Sequence, residues 1–201
     1  MTVYFGDKKI KEMYWAGQKI REAWYGGERV FSGRPVEVMP PTPGTYDARN
    51  WLRAKLTEYG EDYRTVEEIP FEIDTGESSN LDSMFRGCSS LTTVPDMDTG
   101  QVTDMRWMFR DCSSLTTAPV MDTSQATDMR SMFYDCSSLT TVPDMDTRNV
   151  TLMNDMFRGC SSLTDGNVRL IGKRTGVITA RMIQDSGLTR EPFYNSSGQP
   201  I

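Results

Sequence analysis

The sequence predicts an α+β fold in which a short solenoid of 24-residue coils follows a small antiparallel β-meander. Each coil is expected to contain a helical turn and a short strand, with capping helices at the ends of the stack. Three observations support this prediction. The stretch "MFRGCSSLTTVPDMDT" at 84–99 recurs at 108–123 and 132–147, and its first part recurs from Met156. A ten-residue repeat fills positions 8–31, and a segment with four prolines, 35–44, separates the two repeats.

Residues 1–34 predict a β-repeat head that attaches the chain to something larger. "KKIKEMYWAG" at 8–17 is followed by "QKIREAWYGG" at 18–27, with alternating residues typical of strands and glycines typical of turns. So few residues cannot bury a core alone. The aromatic side chains therefore favour an interface, with self-association as a further use, or else they fill one small core. The predicted contact residues are Tyr4, Tyr14, Trp15, Trp24, Tyr25 and Phe31.

The next two segments predict a stiff linker and a cap. The prolines of 35–44 make an extended linker. Residues 45–64 predict an N-terminal capping helix with Thr45 as its N-cap. One face of that helix would carry Ala48, Trp51, Leu52, Leu56 and Tyr59.

Residues 65–165 predict the coils themselves. Met105, Met108 and Phe109 have the spacing of one helical face, and "TTAPVMDT" at 116–123 predicts a short strand that ends or lies at an edge near its proline. A period of 24 residues lies within the range of leucine-rich repeats. The predicted core columns are Cys88, Cys112, Cys136 and Cys160; Phe85, Phe109, Phe133 and Phe157; and Leu91, Leu115, Leu139 and Leu163.

Residues 166–201 predict a C-terminal cap and tail. "VITARMIQDSGLT" at 177–189 resembles a degenerate coil, as expected where a stack meets water. The aperiodic tail carries Phe193 and Tyr194, which are expected to dock on a neighbouring protein or on the end of the solenoid.

Three repeated residue types allow more than one interpretation. Cysteines 24 residues apart favour reduced core residues, with disulfides or a metal site as alternatives, although zinc sites need closer pairs. The aspartates favour turn capping over calcium binding. The methionines favour the core over a binding groove. The aspartates concerned are Asp74, Asp98, Asp122 and Asp146.

Three departures from the repeat predict partner contact. Trp107 stands where other coils have serine or aspartate, Tyr134 stands where they have arginine, and Val120 replaces Asp96 and Asp144. Large apolar side chains at polar outer positions are typical of interfaces, although single exposed aromatic residues also occur without function.

Composition argues against several functions. The chain has no histidine, which excludes the commonest general base and catalytic arrangements that depend on it. The net charge is -6, which argues against nucleic acid as the main partner. No apolar run is long enough to cross a membrane, and no signal peptide is visible. We expect no catalytic residues, no bound metal and no cofactor.

The pattern "NLDSMFRGCSSLTTVPDMDTGQVTDM" at 80–105 resembles the BspA-like leucine-rich repeat family over about residues 65–165. This resemblance implies non-enzymatic surface proteins of bacteria, some of them adhesins, and virion proteins of bacteriophages. The head, "VYFGDKKIKEMYWAGQKIREAWYGGERVF" at 3–31, is similar to short repeats at the start of phage structural proteins.

Together these features predict a structural protein on the virion surface of a bacteriophage, made in the host cytoplasm. The β head would bind a major capsid or tail protein, and the repeats would project outward, with a weak ligand on the host surface as a further partner. Capsid decoration is favoured over a tail accessory role. The alternative is a bacterial cell-surface adhesin that binds a host protein or glycan.

Overall fold

The computed structural model describes residues 35–39, 47–75, 77–172 and 175–201, and between 14 and 31 the backbone of four short strands. The chain divides into two compact units, Met1–Val36 and Glu37–Ile201. In the first unit, β1 (Tyr14–Trp15) pairs antiparallel with β2 (Gln18–Lys19), and β3 (Ala23–Tyr25) pairs antiparallel with β4 (Glu28–Phe31). These pairs form two separate sheets, so the predicted single meander is wrong for the described strands.

The second unit opens with a strand and the helix of the described chain. Strand β5 (Val36–Val38) pairs with β6 (Glu72–Asp74), and helix α1 spans Ala48–Glu58. Asp47 caps the helix, since its Oδ1 accepts hydrogen bonds from the backbone N–H groups of Arg49 and Asn50 at 3.0 and 3.2 Å. Asp47 therefore has the capping role that the sequence predicts for Thr45.

After α1 the chain forms coils that stack in parallel, each one repeat beyond the last. The register is marked by bridges that join Asn80 to Asp104, Asp104 to Asp128, Asp128 to Leu152 and Leu152 to Ile178. Backbone hydrogen bonds follow the same register: the N–H of Phe85 donates to the carbonyl of Met108, and the N–H of Phe109 to that of Met132, both at 2.9 Å. Each coil therefore uses its backbone groups to bind the next coil.

The predicted fold class, a leucine-rich-repeat solenoid with a helical turn and a strand in every coil, is wrong. The segment after Asn80 forms successive tight turns, in which the N–H of Arg86 donates to the carbonyl of Ser83. Ser83 and Gly87 have φ of 59° and 82°, in the left-handed region. A left-handed residue at every fourth position prevents helix propagation, because the N–H groups that a helix would use point to the next coil.

The strands and the caps also differ from the prediction. Beyond β6, regular strands occur only at the C-terminal end of the described stack, where β7 (Met145–Asp146), β8 (Leu170–Ile171) and β9 (Phe193–Tyr194) form a parallel sheet. At the C-terminal end, the described residues 166–172 and 175–201 contain no capping helix, and residues 177–189, predicted as a degenerate coil, form turns. No helix in the described ranges has the length and hydropathy needed to span a membrane.

The core runs along the stack as columns of identical side chains. The phenylalanine rings lie nearly parallel, with centroids of Phe85 and Phe109 5.3 Å apart, Phe109 and Phe133 5.4 Å apart, and Phe133 and Phe157 5.7 Å apart. The predicted cysteine, phenylalanine and leucine columns are all fully buried. Because each coil buries its apolar face only against its neighbours, the repeat requires the same side chain at each level.

Candidate recognition surface

The tight turns of each coil present one side of the stack to solvent. Left-handed residues stand at the same point in successive coils, Ser83, Trp107, Ser131 and Asp155, with φ between 51° and 59°. Three residues later the side chains form a second column, which consists of Arg86, Arg110, Tyr134 and Arg158. Both columns lie on half-buried or buried positions, so their side chains pack along the stack as well as facing outward.

Trp107 is the most unusual residue of this side. A left-handed backbone conformation is unfavourable for a bulky side chain by about 1–2 kcal/mol relative to glycine, yet Trp107 has φ of 56°. Two guanidinium groups lie near its ring, those of Arg86 at 5.7 Å and Arg106 at 5.6 Å from the centroid. The indole ring is therefore fixed in place at the surface by two cation–π contacts.

Tyr134, in the next coil, has the same kind of environment. The guanidinium groups of Arg110 and Arg158 lie 4.5 and 5.4 Å from its ring centroid. All three residues belong to one column, in which the tyrosine stands between the arginines of the preceding and following coils. We call the six residues Arg86, Arg106, Trp107, Arg110, Tyr134 and Arg158 the arginine–aromatic surface.

Carboxylates hold the arginines of this surface in position. Arg106 pairs with Asp82 at 3.1 Å and with Asp104 at 3.4 Å, and Arg110 pairs with Asp111 at 3.4 Å. Arg158 lies 3.6 Å from the carboxylate of the buried Asp155. Burial raises the pKa of Asp104, and the backbone N–H and the charge of Arg106 oppose that rise. Because Arg106, Arg110 and Arg158 are paired with carboxylates, these three side chains favour stacking and directional hydrogen bonds over nonspecific attraction of anions.

Two of the three predicted departures, Trp107 and Tyr134, lie in neighbouring coils of this surface. The N–H of Asp111 donates to the carbonyl of Tyr134 at 2.8 Å, and the N–H of Arg110 donates to that of Trp107 at 3.1 Å. Val120 lies in a different column, between Asp96 and Asp144, and is 71% exposed. The arginines were not singled out by sequence, although their recurrence every 24 residues was a usable signal.

The remaining predicted contact residues have different positions. Phe193 is 1% exposed and packs in the core, so its side chain is removed from the predicted contact surface. Tyr194 is half-buried beside it, with the guanidinium of Arg169 5.3 Å from its ring centroid. Tyr4 lies outside the described residues, as do the side chains of Tyr14, Trp15, Trp24, Tyr25 and Phe31.

The cysteine column has the properties of core thiols. All four cysteines are free and buried. The Sγ of Cys136 donates to the carbonyl of Phe109 at 3.0 Å, and that of Cys160 to the carbonyl of Phe133 at 2.9 Å. Burial raises the pKa of Cys88 and of Cys160 to about 12. A thiol that stays protonated is a poor nucleophile.

The aspartates of the Asp-Thr pairs cap turns. Oδ1 of Asp98 accepts a hydrogen bond from the N–H of Gly100 at 3.0 Å, and Oδ1 of Asp122 accepts one from Ser124 at 2.9 Å. The adjacent threonine joins two coils, since the buried Thr99 donates its hydroxyl to the carbonyl of Asp122 at 2.9 Å. Within the described residues, no group of three or more cysteine, aspartate or glutamate side chains is arranged to hold a metal ion.

The stacked coils and their columns of equivalent surface residues define a repeat protein. Residues 61–170 match the family described as "Mycoplasma protein of unknown function, DUF285", and the chain belongs to this family. No curated protein and no solved structure matches the chain.

Proposed function

We propose that this chain is a non-enzymatic structural protein of a bacteriophage virion. Residues 1–34 attach it to the particle, and the stacked coils project outward and present the arginine–aromatic surface to a partner protein. The observation that carries the binding role is the indole ring of Trp107, which stands where the equivalent coils have serine or aspartate and lies within 5.7 Å of the guanidinium groups of Arg86 and Arg106. Tryptophan and arginine dominate binding energy at interfaces.

The chemistry of the chain supports a binding role rather than catalysis. The sequence has no histidine, and burial raises the pKa of the four thiols. The virion assignment depends on the resemblance of the head to short repeats of phage structural proteins. We favour decoration of the capsid over a tail accessory role.

A second candidate is a bacterial cell-surface adhesin. The family to which the chain belongs is described by a bacterial name, which favours this alternative. The same arginine–aromatic surface would then bind a host protein or glycan, because aromatic rings and arginine donors suit both.

Mass spectrometry of gradient-purified phage particles tests the proposal. We expect the chain in the particles at a constant ratio to the major capsid protein, in tens to hundreds of copies if it decorates the capsid. A chain that is absent from particles, but is released by protease treatment of intact bacterial cells, would overturn the proposal and support the adhesin.

A further inference from the structure

The segments that form tight turns, such as residues 153–159, bind to one another along the stack. In each coil that another coil follows, four backbone N–H groups donate hydrogen bonds to the next coil. In the coil that contains Phe157, four alternate N–H groups donate to carbonyl oxygens of the following coil. They are Met153 to Ile178 at 2.8 Å, Asp155 to Ala180 at 3.0 Å, Phe157 to Met182 at 2.8 Å and Gly159 to Gln184 at 3.0 Å. The same pattern begins at Leu81 and is repeated in each coil between.

The following coil repeats the geometry without an acceptor. Its equivalent donors are the N–H groups of Thr179, Arg181, Ile183 and Asp185, which we call the open edge. Arg181 and Asp185 have φ of 56° and 58°, matching 57° at Asp155 and 77° at Gly159, so the backbone follows the same path. Within the described part of the chain, no acceptor for these four N–H groups is present.

Within the described residues, other boundaries of the stack carry hydrogen bonds from outside the coils. At the first coil, the hydroxyl of Tyr63 donates to the carbonyl oxygens of Met84 and Arg86 at 2.9 and 3.0 Å. On the strand side of the last coil, Tyr194 pairs antiparallel with Pro200, and the N–H of Ile201 donates to the carbonyl of Phe193 at 3.0 Å. The open edge thus lies at the C-terminal end of the stack, on the side formed by the tight turns.

The side chains around the open edge suit an apolar segment. Ile178 is 50% exposed, and the half-buried Val177 and Ile183 pack against the core beside it. The nearby charges are already paired, since Arg181 contacts Asp155 at 3.0 Å and Asp185 lies 3.8 Å from Arg158. An incoming chain would therefore meet donors, apolar surface and two charges, Arg181 and Asp185, that are already paired.

We propose that a segment of another protein, with the apolar spacing and the turn conformation of the existing coils, adds to the open edge as a further parallel coil. Its carbonyl oxygens would accept the four N–H bonds, and its apolar side chains would cover Ile178 and Ile183. An unpaired backbone edge is a ready template for such addition. This binding site adjoins the arginine–aromatic surface at Arg158, which lies 3.8 Å from Asp185, but it uses different groups and stands independently of the proposed function.

A second copy of the chain is a poor occupant. Two open edges placed tail to tail would set donors against donors. A head-to-tail copy would bring its first coil to the open edge, where the carbonyls of Met84 and Arg86 share the hydroxyl proton of Tyr63. Such a copy would have to compete with this hydrogen bond, so a segment of another protein is the better occupant.

Hydrogen–deuterium exchange on the full chain tests the proposal, with a synthetic peptide as the probe. The peptide copies residues 150–163, "VTLMNDMFRGCSSL", with serine for its cysteine, because this segment already accepts the corresponding hydrogen bonds from the preceding coil. Without peptide, we expect the amides of 181, 183 and 185 to exchange at least about 100-fold faster than those of 155, 157 and 159. Saturating peptide should slow hydrogen exchange at the amides of 181, 183 and 185 by at least about 10-fold.

Matched variants make the result specific. Ile178→Asp should abolish the protection, whereas Ile201→Asp, a similarly exposed isoleucine on the strand side of the last coil, should leave it intact. Retained protection at 155, 157 and 159 shows that each variant is folded. The proposal is overturned if the open edge is already protected in the monomer, if a scrambled peptide protects it equally, or if protection comes from concentration-dependent self-association.

Discussion

The guanidinium group of Arg110 lies 4.5 Å from the ring centroid of Tyr134, which occupies the same position one coil later. The arginine on the other side of the ring, Arg158, is 5.4 Å away. A column that would otherwise consist of adjacent arginines is therefore interrupted by an aromatic ring that attracts both neighbours. Tyr134, which replaces the arginine of the repeat, thus contacts Arg110 and Arg158, and these three residues are half of the arginine–aromatic surface.

Removal of the Tyr134 ring should weaken the stack. We expect Tyr134→Ala to lower the free energy of unfolding by about 1–2 kcal/mol, because two cation–π contacts at half-buried positions are lost. Tyr134→Phe keeps the ring and should lie within about 0.5 kcal/mol of the natural chain. Urea denaturation followed by circular dichroism measures both. Equal stability of the alanine and phenylalanine variants would show that the ring contacts contribute nothing.

The left-handed conformation of Trp107 predicts an inverted order of stability. Trp107→Gly and Trp107→Ala both remove the indole ring, so they differ only in the Cβ atom at a φ of 56°. We expect the glycine variant to be more stable than the alanine variant by about 1 kcal/mol, although glycine is usually the less stable choice. Thermal unfolding of the two variants in parallel measures this difference in stability. An alanine variant at least as stable as the glycine variant would contradict the backbone conformation.

The phenylalanine stack should carry a large share of the stability. Phe133 packs between Phe109 and Phe157 and is fully buried. We expect Phe133→Ala to lower the free energy of unfolding by about 3–5 kcal/mol, because it removes buried apolar contact and leaves a cavity. The control Ile201→Ala, at an exposed position, should change it by less than about 0.5 kcal/mol. A small effect at Phe133 would mean that the coils do not share one core.

The buried thiols predict loss of stability at alkaline pH. Burial raises the pKa of Cys88 and of Cys160 to about 12, against an ordinary value of 9.0. The unfolded chain therefore releases these protons first, so their contribution to stability is full below pH 9.0 and is lost as the pH rises from there toward 12. Urea midpoints measured across this range should fall less steeply for Cys160→Ala than for the natural chain. Identical slopes would argue against a buried, protonated thiol.

The sequence indicated which side chains repeat along the core better than it indicated the backbone conformation of the coils. The spacing of Cys136, Phe133 and Leu139 with their equivalents follows directly from a repeat that must bury the same face in each coil. The turns could not be predicted in the same way. Met105, Met108 and Phe109 have helical spacing, but the left-handed conformation of Trp107 between them redirects alternate N–H groups to the next coil.

The candidate site shows the same division. Trp107 and Tyr134 were identified because they depart from the repeat, whereas their partners Arg86 and Arg158 follow it and were not singled out, although their recurrence every 24 residues was a usable signal. Phe193 was expected to contact a neighbour or the end of the stack, and its burial places it within the chain's own core. A tail without periodicity gives no signal for which of its aromatic residues is covered.

The measurement that most directly tests the central claim is photo-crosslinking from position 107 in phage particles mixed with cells of their host. A photoreactive phenylalanine analogue replaces Trp107 in one preparation and the exposed Asp96, on the opposite segment of the preceding coil, in a control. The account predicts a covalent adduct between the chain and a second protein from position 107 and none from position 96. No adduct from position 107, or equal adducts from both positions, would contradict the assignment of the arginine–aromatic surface as the recognition site.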